Sequence, residues 1–284
     1  MVVIWALALL AATATALTSA SRTAALIAAN GVDNAEAEAL ADSGARLAIL
    51  NLGRFLAAPG TVSPVAIDGV QRSCRVGTLG TVAVTIESET GKVDLNTASD
   101  ALLMRLLSGA GGRGIDAAGL VDKIADFRDA DDLRRLNGAE AEDYRRAGLG
   151  GGPKNAPFAA VEELGAVLGL TPDLAAKLRP LVTVHSSASG IDPRLATPAM
   201  LSALTMSPGS TAKAGAVPPA FIALSAPSVF TIRAAAATPA GAHYVREAIV
   251  EIIDSKRQKI EIRRWFRGEQ PAVPATPPAQ LSPC

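Results

Sequence analysis

Hydrophobic and polar positions along the chain fall into three regimes. From Met1 to Ser21 the run MVVIWALALLAATATALTSAS carries no charged side chain, and the first charge is Arg22. About 20 such residues suffice to cross a hydrocarbon core as helix. From Arg22 to Ala58 there is no proline, and Ala, Leu, Glu and Arg dominate, which favours continued helix. Val32, Ala39, Leu40, Leu47 and Leu50 recur at helical spacing as an apolar side, with Glu36, Asp42 and Arg46 elsewhere around the axis. Pro59-Gly60 reads as the stop. The pattern predicts one helix over residues 1–58, greasy in its first third and amphipathic beyond. A secretory signal peptide is the rival reading, with small residues in ATATA and TSA for cleavage, but the run lacks a basic start.

The second regime alternates with period two. In GTVAVTIESE, Val82, Val84 and Ile86 point one way while Ala83, Thr85 and Glu87 point the other. SVFTIRAAA, YVREAIVEIID and QKIEIRRWFRG read as three further strands joined by the turn-like ATPAGAH and DSKR, a predicted antiparallel meander. Between these lies the third regime, of helical spacing. NTASDALLMRLLSG opens with capping residues and ends in glycine, IDAAGLVDKIADFRDA places Leu120, Ile124 and Phe127 on one face, and FAAVEELGAVLG and TPDLAAKLRPLV supply two more helices. The expected fold class is α+β. A long amino-terminal helix packs on a small antiparallel sheet, and a large helical subdomain is inserted between strands. The expected divisions are a stalk helix at 1–58, a body at 59–90 and 220–268, an insert at 91–219 and a disordered Pro-rich tail at 269–284.

Composition narrows the function. Twenty-seven basic residues balance twenty-seven acidic ones, a poor endowment for neutralising phosphates. Two cysteines, Cys74 and Cys284, exclude a disulfide framework and a CxxC metal site, and leave their mutual pairing open. Acid nevertheless concentrates locally. DFRDADDLRRLNGAEAEDY, Asp126 to Tyr144, holds seven carboxylates and three arginines. A solvated surface, a catalytic pair and an oxygen-rich cage for a hard cation compete to explain it. Catalysis lacks the aromatic platforms and substrate-binding groups such pairs use, whereas Arg128, Arg134 and Arg135 are available to pair with the acids on a solvated face. For a cage, Asp129, Asp131 and Asp132 lie close in sequence, the Asn137-Gly138 turn returns Glu140 to them, and Asp126 and Asp143 flank the set. The EF-hand spacing is absent.

At GKVDLNTAS, at DFRDADDLRRLNGAEAEDYRRAG and at NAPFAAVEELGAVLGL the chain resembles the general secretion pathway protein K family, the minor pseudopilins of type II secretion, and the likeness runs on through LRPLVTVHSSASGIDPRLATPAMLSAL. The family lacks the acid that major pilins carry near their mature amino terminus, and no acid precedes Asp33 here. Prepilins also carry a short basic leader ending in glycine. None is seen ahead of Met1, so the reading expects either a start further upstream or a chain near its mature form. The resemblance implies a subunit without enzymatic activity, single-pass in the bacterial inner membrane with its body in the periplasm. It would sit at the pseudopilus tip, initiating or capping assembly, with other minor pseudopilins and the secretion platform as partners. Ile4, Trp5, Leu7, Leu9 and Leu10 would be the membrane and assembly residues. Calcium, bound by members of the family, would be held by Asp129, Asp131, Asp132 and Glu140.

A rival function reads LNTASDALLMRLLSGAGGRGIDAAGLVDKIADFR as a helix-hairpin-helix (SAM-like) module offering a phosphate its glycine-turn amides, as in a membrane-anchored DNA-uptake protein. Against it, residues 91–190 hold twelve basic and fourteen acidic side chains, and the GAGGRG turn is loose. No nucleic-acid partner is expected.

Overall fold

A computed structural model describes residues 1–58, 65–111, 114–205, 217–224, 226–257 and 259–269. The apolar and amphipathic regimes form one helix, α1, Val2–Ala57, about 84 Å long at 1.5 Å per residue. The expected stop at Pro59-Gly60 and the tail from Gln270 lie outside the described residues. So do Gly112 and Arg113 of the glycine turn.

The body is a five-stranded antiparallel sheet in the order β1-β2-β5-β6-β7. Its strands are β1 Arg72–Val76, β2 Gly80–Ser88, β5 Val229–Ala237, β6 His243–Asp254 and β7 Lys259–Arg267. The meander β5-β6-β7 is as the alternation predicts, and β2 joins it directly, with Val84 opposite Ala234 and Ile86 opposite Ile232. Strands from both sides of the insert therefore share one sheet. β1 escaped the sequence reading because RSCRV is short and sits at the sheet edge, where alternation between two faces is weak.

The face carrying Val82, Ile86, Phe230, Ile232, Ala234, Ala248 and Val250 is buried under α1. The helix meets it through Ala37, Leu40, Ala41, Ala45, Ala48, Ile49 and Leu52. Of the expected stripe only Leu40 is buried; Val32, Leu47 and Leu50 stay exposed. The correction has a steric cause. A Cβ on Gly44 would stand 2.4 Å from Val82 Cγ1, and one on Gly53 2.7 Å from Ile260 Cδ1. At those two points helix and sheet approach so closely that no side chain fits between them; Leu40, Ile49 and Leu52 fill the space around the alanines, and Val32, Leu47 and Leu50 are turned outward.

The insert has its own core, built from Val93 to Val217. It comprises α2 Asp100–Gly111, α3 Ala117–Arg128, α4 Ala141–Arg146, α5 Pro172–Leu178 and α6 Pro198–Thr205. A short parallel pair, β3 Val93–Asp94 and β4 Val182–Thr183, closes its base. Leu120, Ile124 and Phe127 all face this core, and Phe127 stacks on Phe158 at 4.8 Å between ring centroids. One expected helix is corrected: FAAVEELGAVLG forms only a six-residue 3₁₀ segment, Val161–Ala166. Asn96 holds Phe158 from both sides, accepting its N–H at 2.7 Å and donating to its carbonyl at 3.0 Å. Glu163 accepts the Ala159 N–H at 3.0 Å. Those bonds take the backbone groups a regular α-helix would have used.

Candidate functional site

Two regions carry chemistry or contact potential: the rod and its attachment, and the acidic loop of the insert. In the rod, the apolar 18-residue window has a mean hydropathy of 2.0 and none of it is buried. Ile4, Trp5, Leu7, Leu9 and Leu10 are each 61–73 % exposed. The hydroxyls of Thr13, Thr15, Thr18, Ser19 and Thr23 donate to carbonyls three or four residues earlier. These five hydroxyls are thus satisfied inside the helix, as a low-dielectric surrounding requires.

The carboxyl half of α1 is clamped to β6. Arg246 is 7 % exposed and donates to Asp42 at 2.5 Å and to Glu38 at 2.7 Å. Its guanidinium lies over the rings of Tyr244 and Trp265 at 5.0 and 5.3 Å, and Tyr244 donates to Glu38.

A second lock joins the insert to the sheet. Glu89, in the 3₁₀ turn between β2 and β3, is buried and accepts from Lys92 at 2.8 Å and from Thr231 of β5 at 2.7 Å. Thr183 of β4 donates to its other oxygen. Burial raises the Glu89 pKa, but Lys92 and the two hydroxyls outweigh it and hold the carboxyl below its ordinary range. Lys92 is likewise desolvated, yet Glu89 and Glu87 keep its pKa raised. No motif flags this group of four, because its members come from three separate stretches, at 89–92, 183 and 231.

The acidic loop runs from Asp129, which follows α3, to Glu140, which precedes α4. Asp126 is fully buried and accepts the N–H groups of Arg135 and Ala139. It lies so near Gly138 that a Cβ there would sit 1.9 Å from Asp126 Oδ2. Asp126 therefore shapes the loop. Asp143 accepts the Glu140 N–H at 3.0 Å and pairs with Arg146 at 2.9 Å, so it too is committed. Asp131 is exposed and accepts the Leu133 N–H at 2.8 Å. Asp132 accepts from the Asn155 amide at 2.7 Å.

Four buried oxygens in this neighbourhood have no donor: Asp129 Oδ1, both carboxylate oxygens of Glu140, and Asn155 Oδ1. Burial, and then the charges of Asp126, Asp129, Asp132 and Asp131, push Glu140 up to about 7. Burial, then Asp131 and Asp126, raise Asp129 as well. Among the described residues no three Asp, Glu, His or Cys side chains form a ready ligand group. The undonated set is two carboxylates and an amide, all oxygen, which suits a hard cation completing its shell with backbone carbonyls or water. Asn155 was missed in the sequence because it lies 15 residues beyond Glu140 in a Gly/Pro-rich segment. Its φ of 50°, in the left-handed region that asparagine tolerates, is the signal that marks it.

Residues 83–187 match the family model described as type II secretion system protein K. One chain of the GspK–GspI–GspJ complex from the enterotoxigenic Escherichia coli type 2 secretion system is similar in structure. Its TM-score is 0.58 at 17 % identity, over 88 % of this chain and 99 % of that one. No curated protein matches in sequence. The long helix, antiparallel sheet and inserted helical head make an α+β, pseudopilin-like fold. The likeness to the protein K family model thus covers residues 83–187, and the likeness in fold extends over 88 % of the chain.

Proposed function

We propose that this protein is a membrane-anchored minor pseudopilin that starts or caps the type II secretion pseudopilus. The observation that carries the reading is α1. Its first half is apolar and wholly unburied, while its second half is welded to a body by the Arg246 clamp and a stripe of small residues. A helix made that way has an element to lodge in the inner membrane and a rod to hold a periplasmic body. During assembly Ile4, Trp5, Leu7, Leu9 and Leu10 exchange lipid for neighbouring helices. The driving term is then packing rather than hydrophobic gain, because lipid tails are as apolar as leucine. The solved relative is named as a GspK–GspI–GspJ complex, which supports other minor pseudopilins as partners. The wide head supports a tip position, since it obstructs stacking of another subunit above it. The role is assembly and geometry, without covalent chemistry.

The test is Leu10→Asp. Secretion of the cognate exoproteins is expected to fail while the body keeps its native circular dichroism and melting. Secretion at wild-type level would remove α1 as the assembly element.

The acidic loop fits a calcium ion, with Asp129 and Glu140 as principal ligands, Asn155 beside them, and Asp132 and Asp131 at the mouth. The ion would supply positive charge that lets these carboxylates stay ionised together. Asp126 and Gly138 fix the loop that presents them. Calorimetry is expected to show binding to the full chain and to lose it in Glu140→Gln. Absence of heat at millimolar calcium would remove the ion from the account.

A further inference from the structure

The inserted head carries a concave surface of its own. A groove of about 460 Å³ is lined by Lys123 of α3, by Arg134, Leu136 and Ala139 of the loop that follows, by Arg146 of α4 and by Leu168. Its walls are already fixed. The Asn137 N–H donates to Asp122 at 3.0 Å and the Ala139 N–H to Asp126 at 2.9 Å. The Tyr144 hydroxyl accepts the Leu168 N–H at 3.0 Å. Ala139 is buried and Leu168 half-buried, which makes the floor apolar. A cleft formed in advance loses little order when it is filled. Its charge is one-sided. Arg134 and Arg146 share Asp143 Oδ1, at 3.4 and 2.9 Å, and Glu142, the other partner of Arg146, is not part of the lining. Among the described residues no carboxylate pairs with the Lys123 ammonium. Three cations against one carboxylate leave an excess of two positive charges, in a chain whose formal net charge is zero. Beside these cations stands Leu136, 90 % exposed, more than any large apolar side chain of the rod beyond Met1. Positive charge and apolar surface thus meet in one pocket of the size that takes a ligand.

We propose that this groove is a docking site for an extended acidic peptide segment of a partner protein, one that carries carboxylates beside bulky apolar side chains. A carboxylate of the segment takes the Lys123 ammonium, which is otherwise without a counter-charge, and the guanidiniums that share Asp143 supply further donors. A neighbouring apolar side chain lies on Ala139 and Leu168, and Leu136 covers it from the rim. Each half of the arrangement selects. An uncharged apolar segment leaves the cations unanswered, and a phosphate-rich partner gains nothing from Leu136 while meeting Asp143. The assignment does not rest on the assembly role of α1, since every residue it uses belongs to the head.

The test is fluorescence anisotropy of the full chain in detergent with two labelled probes, a Leu-Asp-Leu-Asp-Leu amide and its uncharged counterpart, a Leu-Asn-Leu-Asn-Leu amide. The acidic peptide is expected to bind about tenfold more tightly, and to lose that advantage as salt is raised. Lys123→Gln is expected to erase most of the difference between the peptides, and Lys123→Arg to keep it. Leu136→Asn is expected to weaken both peptides alike, because both carry the leucines. Circular dichroism and melting should be unchanged in Leu136→Asn, whose side chain stands in water, so a loss of binding there reports the groove. Equal binding of the two peptides, an acidic preference that survives Lys123→Gln, or binding indifferent to Leu136→Asn overturns the site. Full displacement of the acidic peptide by millimolar inorganic phosphate overturns the peptide assignment, since a bare anion would then suffice.

Discussion

The lock between insert and sheet offers a sharp energetic test. Lys92→Met leaves Glu89, 3 % exposed, without its cation and with only the Thr183 and Thr231 hydroxyls as donors. Removing one member of a buried ion pair costs about 3–5 kcal/mol, because the other charge stays desolvated. Glu89→Leu is milder, at about 2–3 kcal/mol, since Glu87 remains 3.0 Å from the Lys92 ammonium. The double variant Glu89→Leu/Lys92→Met removes both charges. What remains is two threonine hydroxyls short of an acceptor, about 1 kcal/mol each. The coupling energy between the two sites is therefore at least about 2 kcal/mol. For a chain of this size each kcal/mol moves Tm by about 2–4 °C, so Lys92→Met should melt about 6–20 °C lower in calorimetry of the solubilised full chain. The pH dependence follows from the two directions. Glu89, held low, contributes stability that is present above its ordinary 4.5 and is lost as pH falls through its lower folded value. Lys92, held high, contributes stability present below its ordinary 10.5 and lost only as pH rises through its higher folded value. Single variants each costing under about 1 kcal/mol, or a double variant costing their full sum, would refute the lock.

Two further outcomes are expected. Gly44→Leu should destabilise by about 1–3 kcal/mol, because its side chain would enter the space held by Val82. Gly31→Ala, with nothing within 4 Å, should stabilise the same helix by about 1 kcal/mol; equal effects on thermal melts would contradict the close approach. In calcium-free buffer the raised pKa of Glu140 means that stability declines as pH climbs from its ordinary 4.5 through about 7. Glu140→Gln should remove that slope and the calcium-induced rise in Tm, and a slope that persists in the variant would assign it elsewhere.

The meander was legible first in β5, which buries one face, so alternation is written directly into residues such as Ile232 and Ala234; β7 alternates in sequence although none of its residues is fully buried. The helices of the insert were legible for the same reason at period 3.6. The stripe on α1 was not, because sequence patterning rewards large apolar residues. The contact with the sheet instead alternates Leu40, Ile49 and Leu52 with four alanines and Gly44, whose value is their smallness. Leu47 and Leu50 are left outward, the first in a groove beside β1. In the acidic loop the carboxylates were visible as a cluster, but their separate jobs were not. Asp126 and Asp143 are spent on backbone N–H groups, and Asp129 and Glu140 keep undonated oxygens. The turn at Asn137-Gly138 was legible, but that division depends also on the packing of Gly138 against Asp126 and on Asn155, neither of which local spacing encodes.

The central claim is that the exposed amino-terminal half of α1 is the surface by which this subunit joins others. Site-specific photocross-linking in cells places a photoreactive residue at Leu7, and a control at Leu136 on the head, which is 90 % exposed. The account predicts adducts from Leu7 to other pseudopilin helices that appear only when the secretion system is assembled. Partner adducts from the head alone, with Leu7 labelling nothing but lipid in an assembled system, would contradict it.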